Sequence, residues 1–142
     1  MGTIQFNNNG ISPAIKDKLK LKQFLVSIFR NEEVTFKSVS YIFCKDEYLL
    51  TLNQQYLNHD TLTDILTFTL SGKDPAIISE IYISVERVKE NAISLKTGYQ
   101  EELFRVMIHG ILHLCGYTDH TPKQKALMRA KENYYLSQYS FT

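Results

Sequence analysis

Apolar Ile4 and Phe6 alternate with polar Thr3 and Gln5, a strand pattern that ends in the turn-prone run Asn7-Asn8-Asn9-Gly10. Ser12-Pro13 then offers a helix start, and Ile15, Leu19, Leu25 and Ile28 recur at helical intervals as far as Phe29. From Val34 to Cys44 the chain is rich in β-branched and aromatic residues, which predicts a second strand, with a change of direction around Lys37-Ser38. A helix between two strands predicts a parallel pair joined by a right-handed crossover.

Asp46 is placed to cap a second helix that carries Tyr48, Leu49, Leu52 and Tyr56 on one side. The segment from Leu52 to Asp60 leads through Thr61-Leu62-Thr63-Asp64 into a strand over Ile65–Leu70. Ser71 to Pro75 is a turn cluster of hairpin length, so Ile77–Ser84 returns antiparallel. Three helical patterns follow, Val85 to about Lys96, Gln100 to Cys115 after a break at Thr97-Gly98, and Thr121-Pro122 through Leu136. The expected architecture is α+β, one domain over residues 1–142, with a mixed four-stranded sheet in the order βαβαββ and the Gln100–Cys115 helix buried at its centre.

Composition adds bounds. At 142 residues and 44% hydrophobic content the chain can bury one substantial core and carries no sign of disorder. No apolar run reaches the length of a membrane span, and Met1-Gly2-Thr3-Ile4-Gln5 lacks the features of a signal peptide, so a cytoplasmic protein without membrane partners is expected. Cys44 and Cys115 are too few for a disulfide scaffold, and both sit in apolar runs. The formal net charge of +1 is not that of a protein that coats nucleic acid. Lysines are uneven, with Lys16, Lys18, Lys20 and Lys22 early and Lys123, Lys125, Arg129 and Lys131 late, as solvated helix faces or as an RNA track.

The chemistry concentrates in residues 106–120, which hold three of the four histidines. His109 and His113 lie four apart in an otherwise apolar run, so a helix puts both imidazoles on one face, one turn apart, where they can grip one metal ion. Glu102 and Arg105 extend that polar stripe toward the helix start, and Gly116 offers a stop. A third ligand can come from the following turn, as Asp119 or His120. Cys115 lies off the histidine face and reads as a small hydrophobe. Three protein ligands on zinc leave a position for water, whose pKa falls to about 7, and the site reads as hydrolytic. Helical zinc proteases place a glutamate directly after the first histidine; here that position is Gly110, which disfavours peptide hydrolysis and leaves a phosphodiester as the better substrate.

His109-Gly110-Ile111-Leu112-His113-Leu114-Cys115-Gly116-Tyr117, followed by Asp119-His120, resembles the signature of the YbeY family, bacterial zinc-dependent endoribonucleases that mature ribosomal RNA. Leu52-Asn53 through Tyr56, then Asp60, Thr63-Asp64-Ile65-Leu66 and Phe68, resembles that family's second motif, and Glu80-Ile81-Tyr82-Ile83-Ser84 its third. The resemblance implies a hydrolase cutting single-stranded RNA with zinc-bound water, one zinc ion, and a role in 16S rRNA 3′-end maturation and ribosome quality control. It implies rRNA precursor and the ribosome or its small subunit as partners. It also leaves a second possibility, a non-catalytic ribosome-assembly factor whose metal fixes the C-terminal turn.

Two ligands fall on His109 and His113. For the third, the family pattern has a histidine six residues after the second and directly behind an aspartate. With Thr118 as an extra residue, Asp119 keeps the spacing while His120 keeps the residue type; His120 is the expected ligand and Asp119 the alternative. Where the family usually has an arginine after the tyrosine of its second motif this chain has Leu57, so His59 or Arg105 is expected to meet the RNA phosphate instead.

Overall fold

The computed structural model describes residues 2–57, 63–73 and 75–139. Strand β1 (Thr3–Asn8), helix α1 (Lys18–Asn31), strand β2 (Phe36–Cys44), helix α2 (Asp46–Leu57), strands β3 (Ile65–Thr69) and β4 (Ile77–Ser84), and helices α3 (Val85–Leu95), α4 (Tyr99–Leu114) and α5 (Pro122–Gln138) follow in that order. The sheet runs β1-β2-β4-β3, with β1 and β4 parallel to β2 and β3 antiparallel to β4. This is the α+β single domain and mixed sheet expected from the residue pattern. The expected change of direction in β2 is a bulge, since the pairing slips between Phe36 and Ser38 and leaves Lys37 unmatched.

Alternation sorts the sheet's two faces. Val39, Tyr41 and Phe43 of β2 and Ile81 and Ile83 of β4 are fully buried on the face that meets α1, α3 and α4. On the other face Cys44 and Leu66 pack with Leu49 of α2, flanked by Leu52, Phe68 and Tyr82. The sheet is thus a middle layer, with α2 alone behind it. Helix α4 is buried through Leu103, Met107, Ile108, Ile111 and Leu112, and the buried Tyr41 hydroxyl donates to the Met107 carbonyl at 2.7 Å. Gly110 is where α4 comes closest: a Cβ there would lie 3.0 Å from Ile65 Cδ1 and 3.1 Å from Ile81 Cδ1.

Two local expectations are corrected. Helix α1 starts at Lys18 and not at Ser12-Pro13, because the Asp17 carboxylate caps it by accepting from the Lys20 N–H at 3.1 Å. Ser12 does accept a backbone N–H, from Ala14 at 3.1 Å, but in a turn whose Ala14 has φ 56°. In α2 the buried positions are Leu49 and Asn53, whereas Tyr48 and Tyr56 are 41% and 67% exposed. The tyrosines lie along the rim of the helix–sheet contact, in ring contact with Tyr82 and Phe68 respectively.

The starts of α3 and α5 follow the rules of capping. Ser84 accepts from the Arg87 N–H to open α3, and Thr121 with Gln124 forms a reciprocal capping box at α5, with Pro122 in its first turn. Gly116, at φ 104°, lets the chain reverse directly after α4. That reversal brings residues 117–120 back beside the histidine face.

Candidate metal centre

His109 and His113 share one face of α4, with their Nε2 atoms 2.9 Å apart. Asp119 comes back from the turn to place Oδ2 3.4 Å from His109 Nε2 and 3.5 Å from His113 Nε2. These three are the group among the described residues that could hold a metal ion, with donor atoms all within 4.8 Å of one another. His120 does not join them: it is exposed, and its backbone N–H donates to Gln124 Oε1 at 3.0 Å as the chain enters α5. Of the two candidates for the third ligand, the geometry favours Asp119, which keeps the spacing, over His120, which keeps the residue type.

The other ring nitrogens explain why this trio suits a cation. His113 Nδ1 lies 2.9 Å from the Tyr117 carbonyl, which only accepts, so Nδ1 carries the proton and Nε2 a lone pair. His109 Nδ1 lies 2.6 Å from Glu132 Oε2, and donation to that carboxylate fixes the same tautomer. In their neutral forms the two rings therefore aim lone pairs at one another and at a carboxylate oxygen. Three acceptors at such distances need a positive charge between them, and two imidazoles with one carboxylate are an ordinary zinc donor set.

Glu132 was not foreseen from the sequence. It is 4% exposed on α5 and binds three partners: His109, Arg105 Nη1 at 3.3 Å and Arg129 Nη1 at 3.6 Å. Its position carried a signal, since Met128, Glu132, Tyr135 and Leu136 are the buried residues of α5. A glutamate on the apolar stripe of a helix is an acid held for a partner. Arg105, expected to meet substrate, lines a cleft beside the centre and has its Nη1 on Glu132 and on Asn133 Oδ1 at 2.9 Å. His59, the other such candidate, lies outside the described residues, as does the side chain of Leu57.

The centre borders a cleft of about 370 Å³, lined by His109 and Asp119 at one end and including Asp64, Glu102, Glu132, Lys125 and Arg129. The polar stripe of α4 therefore faces a cleft as its spacing predicts, through Glu102, Arg105 and His109. Burial holds the Asp64 carboxyl above its ordinary range, although the His109 charge pulls the other way. Glu102 is raised as well, by burial first and by the Asp64 charge second. For His109, burial opposes the charged ring, but the Glu132 hydrogen bond and the charges of Glu132, Asp119 and Asp64 outweigh it and raise the pKa. Cys115 is partly buried and free, with its thiol pushed up to about 12 by burial and then by Glu32, which fits an inert side chain rather than a ligand.

This geometry puts the chain in the class of α+β proteins whose two helical imidazoles and one loop carboxylate could hold a metal beside a charged cleft. The family model described as Endoribonuclease YbeY matches residues 4–140. The chain is 48% identical over 130 residues to the endoribonuclease YbeY of Flavobacterium psychrophilum, covering 92% of this chain and 91% of that protein. It is 41% identical over 139 residues to the one from Cytophaga hutchinsonii, covering 98% and 97%. The solution structure of a Thermotoga maritima protein superposes with a TM-score of 0.65 at 31% identity, covering 95% of this chain and 87% of that one. The chain belongs to the YbeY family.

Proposed function

We propose that the protein is a metal-dependent endoribonuclease, with His109, His113 and Asp119 holding one divalent cation at the mouth of the cleft. The observation that carries this reading is the convergence of three donor atoms of metal-ligating type within 4.8 Å on a chain that belongs to a family of endoribonucleases. Zinc is the ion that suits two imidazoles and a carboxylate. When bound, such an ion supplies Lewis acidity toward water and toward a phosphoryl oxygen.

The protein's own residues do the rest. Glu132 and the Tyr117 carbonyl hold the two rings by their Nδ1 atoms, so that both Nε2 lone pairs stay directed at one point. Arg105 keeps Glu132 in place from the far side. Gly110 leaves no space between α4 and the sheet for the glutamate a helical zinc protease needs, so its absence follows from the packing as well as from the motif. The substrate we propose is single-stranded RNA, in the form of an rRNA precursor on the ribosome or its small subunit in the cytoplasm. That assignment, with the role in 16S rRNA 3′-end maturation and quality control, rests on the family resemblance. No helix among the described residues is long and apolar enough to cross a membrane.

The test is His113→Ala, assayed for metal content by elemental analysis and for cleavage of a single-stranded RNA. Loss of both in a folded protein supports the reading. A metal-free variant that cuts RNA as fast as the parent would refute it.

A further inference from the structure

We propose that Lys125 and Arg129 form a phosphate-binding rim on the cleft, seating the backbone of single-stranded RNA along α5 beside the metal centre. This deepens the nuclease reading and rests on it.

Three cations line the cleft, and they differ in what they are free to do. Arg105 is 18% exposed and tied to Glu132 and Asn133, so its charge is committed to holding a positioning group. Arg129 is 57% exposed and makes one loose ion pair, 3.6 Å to Glu132 within its own helix. A pair that open contributes little to stability, so its guanidinium can turn to a ligand at small cost. Lys125 is exposed; its backbone N–H donates to the Thr121 carbonyl at 2.9 Å, and its ammonium enters no ion pair among the described residues.

The two exposed cations stand four residues apart on α5, one turn of helix and about 6 Å. That is a spacing at which one strand can set neighbouring phosphates against both. Two of the acids in the same cleft are buried, with Glu102 5% and Glu132 4% exposed, while Asp64 and Asp119 are partly exposed. The exposed Lys125 and Arg129 are therefore the groups an anion meets first in the cleft that Asp119 and His109 also line. Ile65, Val106 and Met128 give the same cleft an apolar part of its lining.

Among the described residues that line this cleft none is Phe, Tyr or Trp. The rim holds phosphate and carries no sequence information.

The test compares parent, Lys125→Glu, Arg129→Glu, the double variant and Lys123→Glu, an exposed lysine of the same helix outside the cleft. Binding of a fluorescent single-stranded oligoribonucleotide to the full, zinc-loaded chain is followed by anisotropy across a salt series. The expected result is about tenfold weaker binding for the double variant, and a log–log salt slope shallower by about 0.7 for each cation removed. Lys123→Glu should bind like the parent, and Arg129→Lys should keep most of the affinity. Equal affinity and slope in the double variant and the parent would overturn the proposal. Failure of the nuclease reading shows separately, as a parent that binds RNA without cutting it.

Discussion

The Tyr117 hydroxyl donates to Glu32 Oε1 at 2.7 Å, while the carbonyl of the same tyrosine accepts from His113 Nδ1 at 2.9 Å. Glu32, at the end of α1, is thereby connected through one residue to a candidate ligand on α4. Tyr135 of α5 also donates to this carboxylate, and Lys131 Nζ lies 3.4 Å from it. Two helices and the turn after α4 meet on one acid, and that turn, which presents Asp119, starts from the tyrosine it holds.

Removing the hydroxyl should loosen the metal without unfolding the chain. Tyr117→Phe keeps the carbonyl but frees the turn, and loss of such a support typically weakens metal binding by 10–100-fold, of which we expect about tenfold. Competition against a chromogenic chelator measures it. Unchanged zinc affinity together with a lowered Tm would show that Glu32 only staples the helices.

The same acid predicts a pH dependence of stability. Burial alone pushes the Glu32 carboxyl up, but the Tyr135 and Tyr117 hydroxyls and the Lys131 charge together bring it below its ordinary value. A lowered folded pKa means stability that is present above the unfolded value, about 4.3, and lost as pH falls through the folded one. In thermal melts the parent should therefore exceed Glu32→Gln near neutral pH, with the gap closing on acidification below about pH 4. A gap that widens toward acid would reverse the sign and with it the explanation.

Gly110 tests how tightly α4 sits on the sheet. Alanine there presses on the ends of Ile65 and Ile81 at 3.0–3.3 Å, yet gains about 1 kcal/mol of helix propensity, so Gly110→Ala should be close to neutral. Gly110→Val adds two methyls where the neighbours already touch and should destabilise by about 1–3 kcal/mol in urea unfolding. A neutral valine would mean that the contact yields.

What could be read in advance divides along range. Strands showed in the alternation of Ile4 and Phe6 and of Ile81 and Ile83, and α4 in the spacing of its two histidines, because local geometry repeats in sequence. Ser12 supplies cap chemistry that the chain uses in a turn, so α1 begins later than its apolar spacing suggests. Glu32 left no trace at all: its partners Tyr117 and Tyr135 are 85 and 103 residues away, and nothing near position 32 distinguishes it from a solvated helix end. Glu132 lay between, visible as an acid on an apolar stripe but not assignable to His109 without the packing of α4 on α5.

The choice between Asp119 and His120 turns on where the chain leaves the glycine. Gly116 takes the left-handed conformation, Tyr117 is held at both its hydroxyl and its carbonyl, and two residues later the Asp119 carboxylate reaches the imidazoles. His120 is already at the threshold of α5, where its N–H and that of Thr121 both donate to Gln124 Oε1. Bringing its ring to the centre would break that capping box, a loss of about 1 kcal/mol, to replace a carboxylate already in place. Asp119→Ala should therefore lose most bound zinc by elemental analysis and most RNA cleavage, while His120→Ala keeps both. Asp119→Asn, which retains the shape but not the charge, should fall between them in zinc affinity. Metal retained by Asp119→Ala and lost by His120→Ala would mean that the turn rearranges to put the histidine, not the aspartate, on the ion.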